Sequence, residues 1–365
     1  MRPKLKKALF YVVAVFLACC AFEGFLNLGF TVVGYLKTPV IAEKRHVRYD
    51  PELGWAHVPG VRISGMYGAG KDLTINGQGF RGPKEYTREV PPGKTRVMCL
   101  GDSFVLGFGA PDNKTIPQYL EKMDSGLETI NMGQGGYGLD QIYLWYIRER
   151  QRFDHDVLLV SYIDQDIARM NWRVFSGYNK PFLKLENGNL RICNVPVPKS
   201  GQDLAAGLDN LLRGTAIHRL ATMLVRGIAG PRQFYTVYDS ERGILDTALA
   251  VFENLRVWTR SQGITLVIWR PLQRPEEGSM PIMAQLGQEL KKRGFVFFDL
   301  MQDAASIPQD KLDSLFISRR NADPALLHYM TFEGHYTDLG NQVVSAMLLH
   351  KLAQNSLLHK KDRAL

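Results

Sequence analysis

Two periodicities divide the chain. From about residue 95 onward, short uninterrupted apolar runs alternate with longer amphipathic stretches. TRVMCLGDS (95–103), ETINMG (128–133), DVLLVSYID (156–164), ITLVIWR (264–270) and FVFFDL (295–300) predict buried strands. Between them IPQYLEKM (116–123), LDQIYLWYIRER (139–150), LDTALAVFENLRVWTRSQG (245–263) and the stretch around IMAQLGQELKKRG predict helices, and LGNQVVSAMLLHKLAQ (339–354) predicts a closing one. Strands apolar on both faces and separated by helices imply a parallel sheet covered on each side. The expected fold is a three-layer α/β/α domain over 91–356. The alternation breaks at 170–244, where FLKLENGNLRICNVPVP (182–198) predicts a hairpin around Asn187-Gly188 and 203–228 one or two helices. This stretch is expected to be an insertion or cap.

Ahead of the alternating region the pattern differs. Residues 1–7, MRPKLKK, are basic, and 8–36 are apolar apart from Glu23 and Asn27. A run longer than the about 20 residues that span a bilayer predicts an uncleaved transmembrane helix. Arg2, Lys4, Lys6 and Lys7 then argue for a cytoplasmic tail, which places the bulk of the chain on the periplasmic, extracytoplasmic side of the cell inner membrane. Residues 37–90, rich in Gly and Pro, are expected to form a juxtamembrane segment with short strands. Residues 357–365 form a basic tail.

Composition narrows the function classes. The net charge of +9 is dispersed over MRPKLKK, LKKRG (290–294) and HKKDR (359–363), whereas a nucleic-acid reader gathers basic residues on one element; no nucleic-acid partner is expected. The four cysteines, Cys19, Cys20, Cys99 and Cys193, have no metal-ligating spacing, and neither a metal nor a cofactor is expected. His46, His57 and His328 show no ligand spacing, and His155 reads as a surface turn residue. Gly65 to Asp72 fits G-x-x-x-x-G-K, but Asp72 follows Lys71 where a phosphate loop needs Ser or Thr, and LTIN then reads as a strand. A surface turn is expected there.

Ligands bind at the carboxyl ends of strands in an open parallel sheet. The first such end carries Gly101-Asp102-Ser103, the second TINMGQGGYG, the third Asp164-Gln165-Asp166, and Glu333-Gly334-His335 precedes the last helix. The glycines 133, 135 and 138 satisfy the dinucleotide pattern G-x-G-x-x-G. The domain, however, opens with the preceding GDS strand, and Asp164 lies beyond the expected distance for a ribose-binding acid. A serine nucleophile needs a base and donors for the developing oxyanion. His335 is a candidate base, and the N–H groups of Ser103 and Gly136 are candidate donors. Asp102 reads as a turn-fixing residue.

With GDSFVLGFG (101–109), NMGQGGYG (131–138), the tripeptide at 164–166 and HYTDLGNQ (335–342), the chain resembles the GDSL/SGNH hydrolase superfamily over roughly 95–355. PELGW (51–55), INGQGFRGP (75–83) and KPFLKLENGNL further resemble its membrane-anchored bacterial envelope members. The resemblance implies a flavodoxin-like α/β/α fold, Ser103 as nucleophile, Gly136 and the Gln165 amide in the oxyanion hole, and His335 as base. The family's third block has Asn where Gln165 stands, and its acid three residues before the histidine is replaced by Phe332. Glu333 is the candidate orienting acid, ahead of Asp166 and Asp299. The implied function is an esterase acting on acyl esters of an envelope glycan or lipid. An O-acyltransferase modifying a polysaccharide and a degenerate carbohydrate-binding module are the alternatives.

Overall fold

The computed structural model describes residues 7, 10–25, 46–175, 178–199, 237–274, 281–304, 306–328 and 332–358. The chain divides into two compact units, Met1–Val40 with Lys199–Tyr235, and Ile41–Pro198 with Thr236–Leu365.

The second unit is built on a five-stranded parallel sheet. Its strands are β1 (Thr95–Gly101), β2 (Leu127–Gly133), β3 (Val157–Ser161), β4 (Thr265–Arg270) and β5 (Phe297–Asp299), in the spatial order β5-β4-β3-β1-β2. The chain steps from β1 to β2 on one side and then to β3 on the other. The carboxyl ends of β1 and β3 therefore flank a topological switch point, where a crevice opens in such sheets. Gly101 pairs with Gly133 and Leu100 with Val160, so the three strand ends lie at one edge.

Alternation along each strand sends successive side chains to opposite faces. Met98, Leu100, Leu158, Val160 and Ile268 face a core shared with helices α3 (Leu139–Glu149), α5 (Glu241–Ser261) and α6 (Pro281–Lys292). Val97, Cys99, Val157, Leu159, Val267 and Trp269 face a second core, shared with α2 (Ile116–Met123) and α7 (Asp338–Gln354). Two short helices, α1 (Ser103–Leu106) and α4 (Asp164–Met170), start at the carboxyl ends of β1 and β3. The three layers predicted from the apolar runs are thus present.

The hairpin is found at Phe182–Glu186 and Asn189–Cys193, with Asn187 and Gly188 both at positive φ in its turn. The remainder of the expected insertion, 200–236, lies outside the described residues. Gly65–Asp72 forms a turn closed by its own acid: Asp72 accepts from the Gly65 N–H at 2.8 Å and is paired by Arg62 at 2.8 Å.

Two expectations are corrected. Among the described residues no helix is long and apolar enough to cross a membrane, so the transmembrane anchor and the single-pass inner-membrane placement built on it do not hold. Residues 26–45 lie outside the described residues. His155 is not on the surface. It is buried, with Nε2 3.1 Å from the Tyr146 hydroxyl and Nδ1 2.9 Å from the Phe153 carbonyl.

Candidate active site

The site begins with a steric condition. A Cβ on Gly133 would fall 1.9 Å from the Leu106 nitrogen, so a side chain at this strand end would drive α1 off the sheet. With glycine there, α1 seats directly against β2. Asn131 locks the contact, its Nδ2 donating to the Val105 carbonyl at 2.9 Å and its Oδ1 accepting from the Gly133 N–H at 2.9 Å. Gly133 thus serves the packing of α1 against β2.

Asp102 caps α1, Oδ1 accepting from the Phe104 N–H at 3.0 Å, in keeping with its turn-fixing reading. This holds Ser103 at the first helical position, buried with only its edge reachable. Ser103 Oγ lies 2.8 Å from His335 Nε2, and 3.2 Å from Asp102 Oδ2. The histidine arrives from 232 residues away. Its loop is fixed by backbone pairing with a neighbouring segment: Ile317 N–H donates to the His335 carbonyl at 2.7 Å and Gly334 N–H to the Ile317 carbonyl at 2.9 Å. The imidazole is flanked by Phe104 and Phe108, centroids 5.1 and 4.6 Å away.

His335 Nδ1 lies 3.4 Å from the Phe332 carbonyl. A proton on Nδ1 directed at that carbonyl leaves Nε2 as the acceptor toward serine, which is the tautomer a base requires. Glu333 is directed elsewhere. Its carboxylate is half exposed and 3.4 Å from the Arg319 guanidinium. Asp299 lies on the far edge strand, where it accepts from the Met301 N–H at 3.2 Å.

Gly136 adopts φ +77°, and a Cβ there would sit 2.2 Å from Cε1 of Phe175. The Gly135 carbonyl is engaged by Trp55 Nε1 at 3.1 Å. A planar trans peptide then turns the Gly136 N–H to the side away from Trp55. Gln165 occupies the second residue of α4, half-buried, and α4 starts at Asp164. Next to it Asp164 is held by Arg270 at 2.7 Å. Asp166 is buried, and its carboxyl holds a proton well above the usual carboxylate range; burial is the main cause, the charge of Asp102 adds to it and Arg169 opposes it.

Four residues that sequence reading did not single out shape this edge: Trp55, Asn131, Arg81 and Arg169. Arg81 is fully buried and donates to the carbonyls of Leu106, at 3.2 Å, and Ala110, at 2.9 Å, so the 46–90 segment grips the loop that follows Ser103. Trp55 packs on Tyr137, whose hydroxyl donates to the Trp55 carbonyl at 2.5 Å. Their signal in sequence is faint, since a single Arg or Trp in a Gly-rich stretch has no period. Among the described residues no group of His, Cys, Asp and Glu could hold a metal ion.

No protein-family model matches the sequence, and no curated protein matches it. Solved structures do. One is a member of the lipolytic protein G-D-S-L family from Veillonella parvula, with TM-score 0.38, 11% identity, 71% of this chain and 97% of that one covered. Another is a GDSL-like lipase from Bacteroides thetaiotaomicron, with TM-score 0.38, 12% identity, and 75% and 93% covered. A carbohydrate acetylesterase family member from Sinorhizobium meliloti is similar at TM-score 0.33 and 14% identity, with 72% and 99% covered. At such values the chemistry of the site rests on this chain's own residues. These three solved structures, to which the chain is similar, are a lipolytic protein of the G-D-S-L family, a GDSL-like lipase and a carbohydrate acetylesterase family member.

Proposed function

We propose that the protein is a serine esterase that removes acyl groups from a glycan. The observation that carries the reading is the 2.8 Å approach of Ser103 Oγ to His335 Nε2 at the switch point of the sheet. His335 takes the serine proton as Oγ attacks the ester carbonyl. The N–H groups of Ser103 and Gly136 and the Gln165 amide take the developing oxyanion. Protonated His335 then hands its proton to the departing sugar hydroxyl, and water, activated by the same imidazole, releases the acid. The Phe332 carbonyl, 3.4 Å from Nδ1, orients the ring.

The glycan is favoured by an aromatic stack beside Gly136. Trp55, Phe175 and Trp172 lie face on face, with centroids 5.9 Å apart at each step and interplanar angles of 24° and 13°. The inner ring is buried, and Trp172 is 40% exposed. A flat exposed indole suits the C–H face of a sugar ring, and a fatty acyl chain would need an enclosed groove.

The test compares the wild type with Ser103→Ala on p-nitrophenyl acetate and on an acetylated oligosaccharide, with fluorophosphonate labelling alongside. Serine-dependent turnover and labelling of Ser103 are expected. Equal activity in the two proteins sinks the reading. Labelling of Ser103 without hydrolysis, together with acyl transfer to an added sugar, turns it into the transferase alternative.

A further inference from the structure

Behind the proposed catalytic groups lies one guanidinium that the mechanism does not use. Arg169, on α4, is largely buried. Its Nη1 lies 3.3 Å from Asp102 Oδ2, 3.1 Å from the Tyr137 carbonyl and 2.7 Å from Asp166 Oδ1. Asp102 is the chain neighbour of Ser103, Tyr137 of Gly136, and Asp166 of Gln165. Asp102 and Tyr137 come from the segments after β1 and β2, and Asp166 from the first turn of α4, which follows β3 and carries Arg169 itself.

We infer that Arg169 is a positioning residue that ties the three strand-end loops into one register, so that the nucleophile and the oxyanion donors move as a unit. The inference rests on the esterase reading of those groups. Two of the acceptors are themselves anchored. Asp102 Oδ1 caps α1, and Asp166 Oδ2 accepts from the Ile163 N–H at 2.9 Å at the start of α4. The arginine is anchored as well: its guanidinium lies 5.2 Å from the centroid of the Phe175 ring, and its carbonyl accepts from the buried Lys180 at 3.1 Å. A small displacement at any of the loops would break in-line attack or oxyanion contact, and an error of about 1 Å in such a site costs about 10²-fold in rate.

Arg169→Met is therefore expected to lower kcat on p-nitrophenyl acetate about 10²-fold with KM held within about threefold, and Arg169→Lys to regain at least about tenfold. Because Arg169→Met removes the cation beside Asp102 and Asp166, Arg169→Met/Asp166→Asn, which also takes away one of the two acids, supplies a second version in which the loss must persist. Amide hydrogen exchange gives an arm independent of turnover. In the double variant the amides of residues 103 and 136 should exchange at least about tenfold faster, while those of β4 keep wild-type rates. A kcat unchanged within threefold, a rise in KM alone, or uniform acceleration across β4 and the loops overturns the inference. Absence of serine-dependent turnover in the wild type sinks the esterase reading alone, and the exchange arm then decides the role of Arg169.

Discussion

Two adjacent residues before His335 point in different directions, and of the two it is Phe332 that reaches the imidazole. Phe332 gives its carbonyl to the ring, whereas the Glu333 carboxylate lies 3.4 Å from Arg319 with both side chains strongly exposed. An exposed ion pair of that kind contributes about 0–1 kcal/mol. Glu333→Gln should accordingly keep kcat/KM within about fivefold of wild type in a p-nitrophenyl acetate assay, since rate and free energy scale at about 1.4 kcal/mol per decade. A fall of about 10²-fold or more would return Glu333 to the orienting role, because losing tautomer control costs orders of magnitude. Gly136 carries the opposite expectation. Alanine there meets the Phe175 ring at 2.2 Å and must hold φ +77°. Gly136→Ala should lower kcat by about 10²-fold, the usual cost of one lost oxyanion donor, while fluorescence-monitored urea unfolding still shows a folded protein. Unchanged kcat would remove Gly136 from the oxyanion hole.

At the scale of elements, the contact between β2 and α1 sets the geometry on which the serine depends. In Gly133→Ala the new methyl would lie 1.9 Å from the Leu106 nitrogen and 2.5 Å from the Val105 carbonyl carbon. Both are backbone atoms and have no rotamer to yield with. The expected cost is about 3 kcal/mol, the upper end for overpacking, read as a lower urea midpoint together with lost activity; a midpoint shift under about 1 kcal/mol would mean that α1 is free to slide. The strands and helices around this contact were readable in sequence because a central parallel strand must be apolar on both faces, so its run of apolar residues marks it. The Gly-rich turn and the hairpin at Asn187-Gly188 were readable for a related reason, as positive φ demands those residue types. Contacts made across long separations left no such mark. His155 stands between Asp154 and Asp156 and reads as exposed, yet Tyr146 of α3 covers it. Arg169 is one polar residue on a short helix, and only the fold brings the β1 and β2 loops to it.

For the molecule as a whole, burial of neutral histidines in the second unit couples stability to pH. His57 is enclosed, with Nδ1 3.0 Å from the Gly79 carbonyl, and burial is the main reason its pKa falls from 6.5 to about 4. The Gly79 carbonyl opposes that shift, and the charge of Arg81 adds to it. His155 is lowered by burial in the same direction. The sign follows from proton binding: below pH 6.5 the unfolded chain takes up protons that the folded chain refuses. Stability is therefore full above 6.5 and falls as pH drops toward about 4, where the folded His57 itself titrates and its contribution to the slope ends. One such group contributes about 1.4 kcal/mol per pH unit inside that window, or about 3 kcal/mol across it. Asparagine at position 57 can present its Nδ2–H to the Gly79 carbonyl and does not titrate. Urea unfolding of the wild type and His57→Asn at pH 7.5, 6.5, 5.5 and 4.5 should then give a steeper acid loss for the wild type, by about 1 kcal/mol per unit below pH 6, with the remaining slope in the variant due to His155 and the rising net positive charge. Superimposable pH profiles for the two proteins would mean that His57 is as readily protonated in the folded state as in the unfolded one, and that the shell of residues 46–90 around it opens to solvent well before the sheet does.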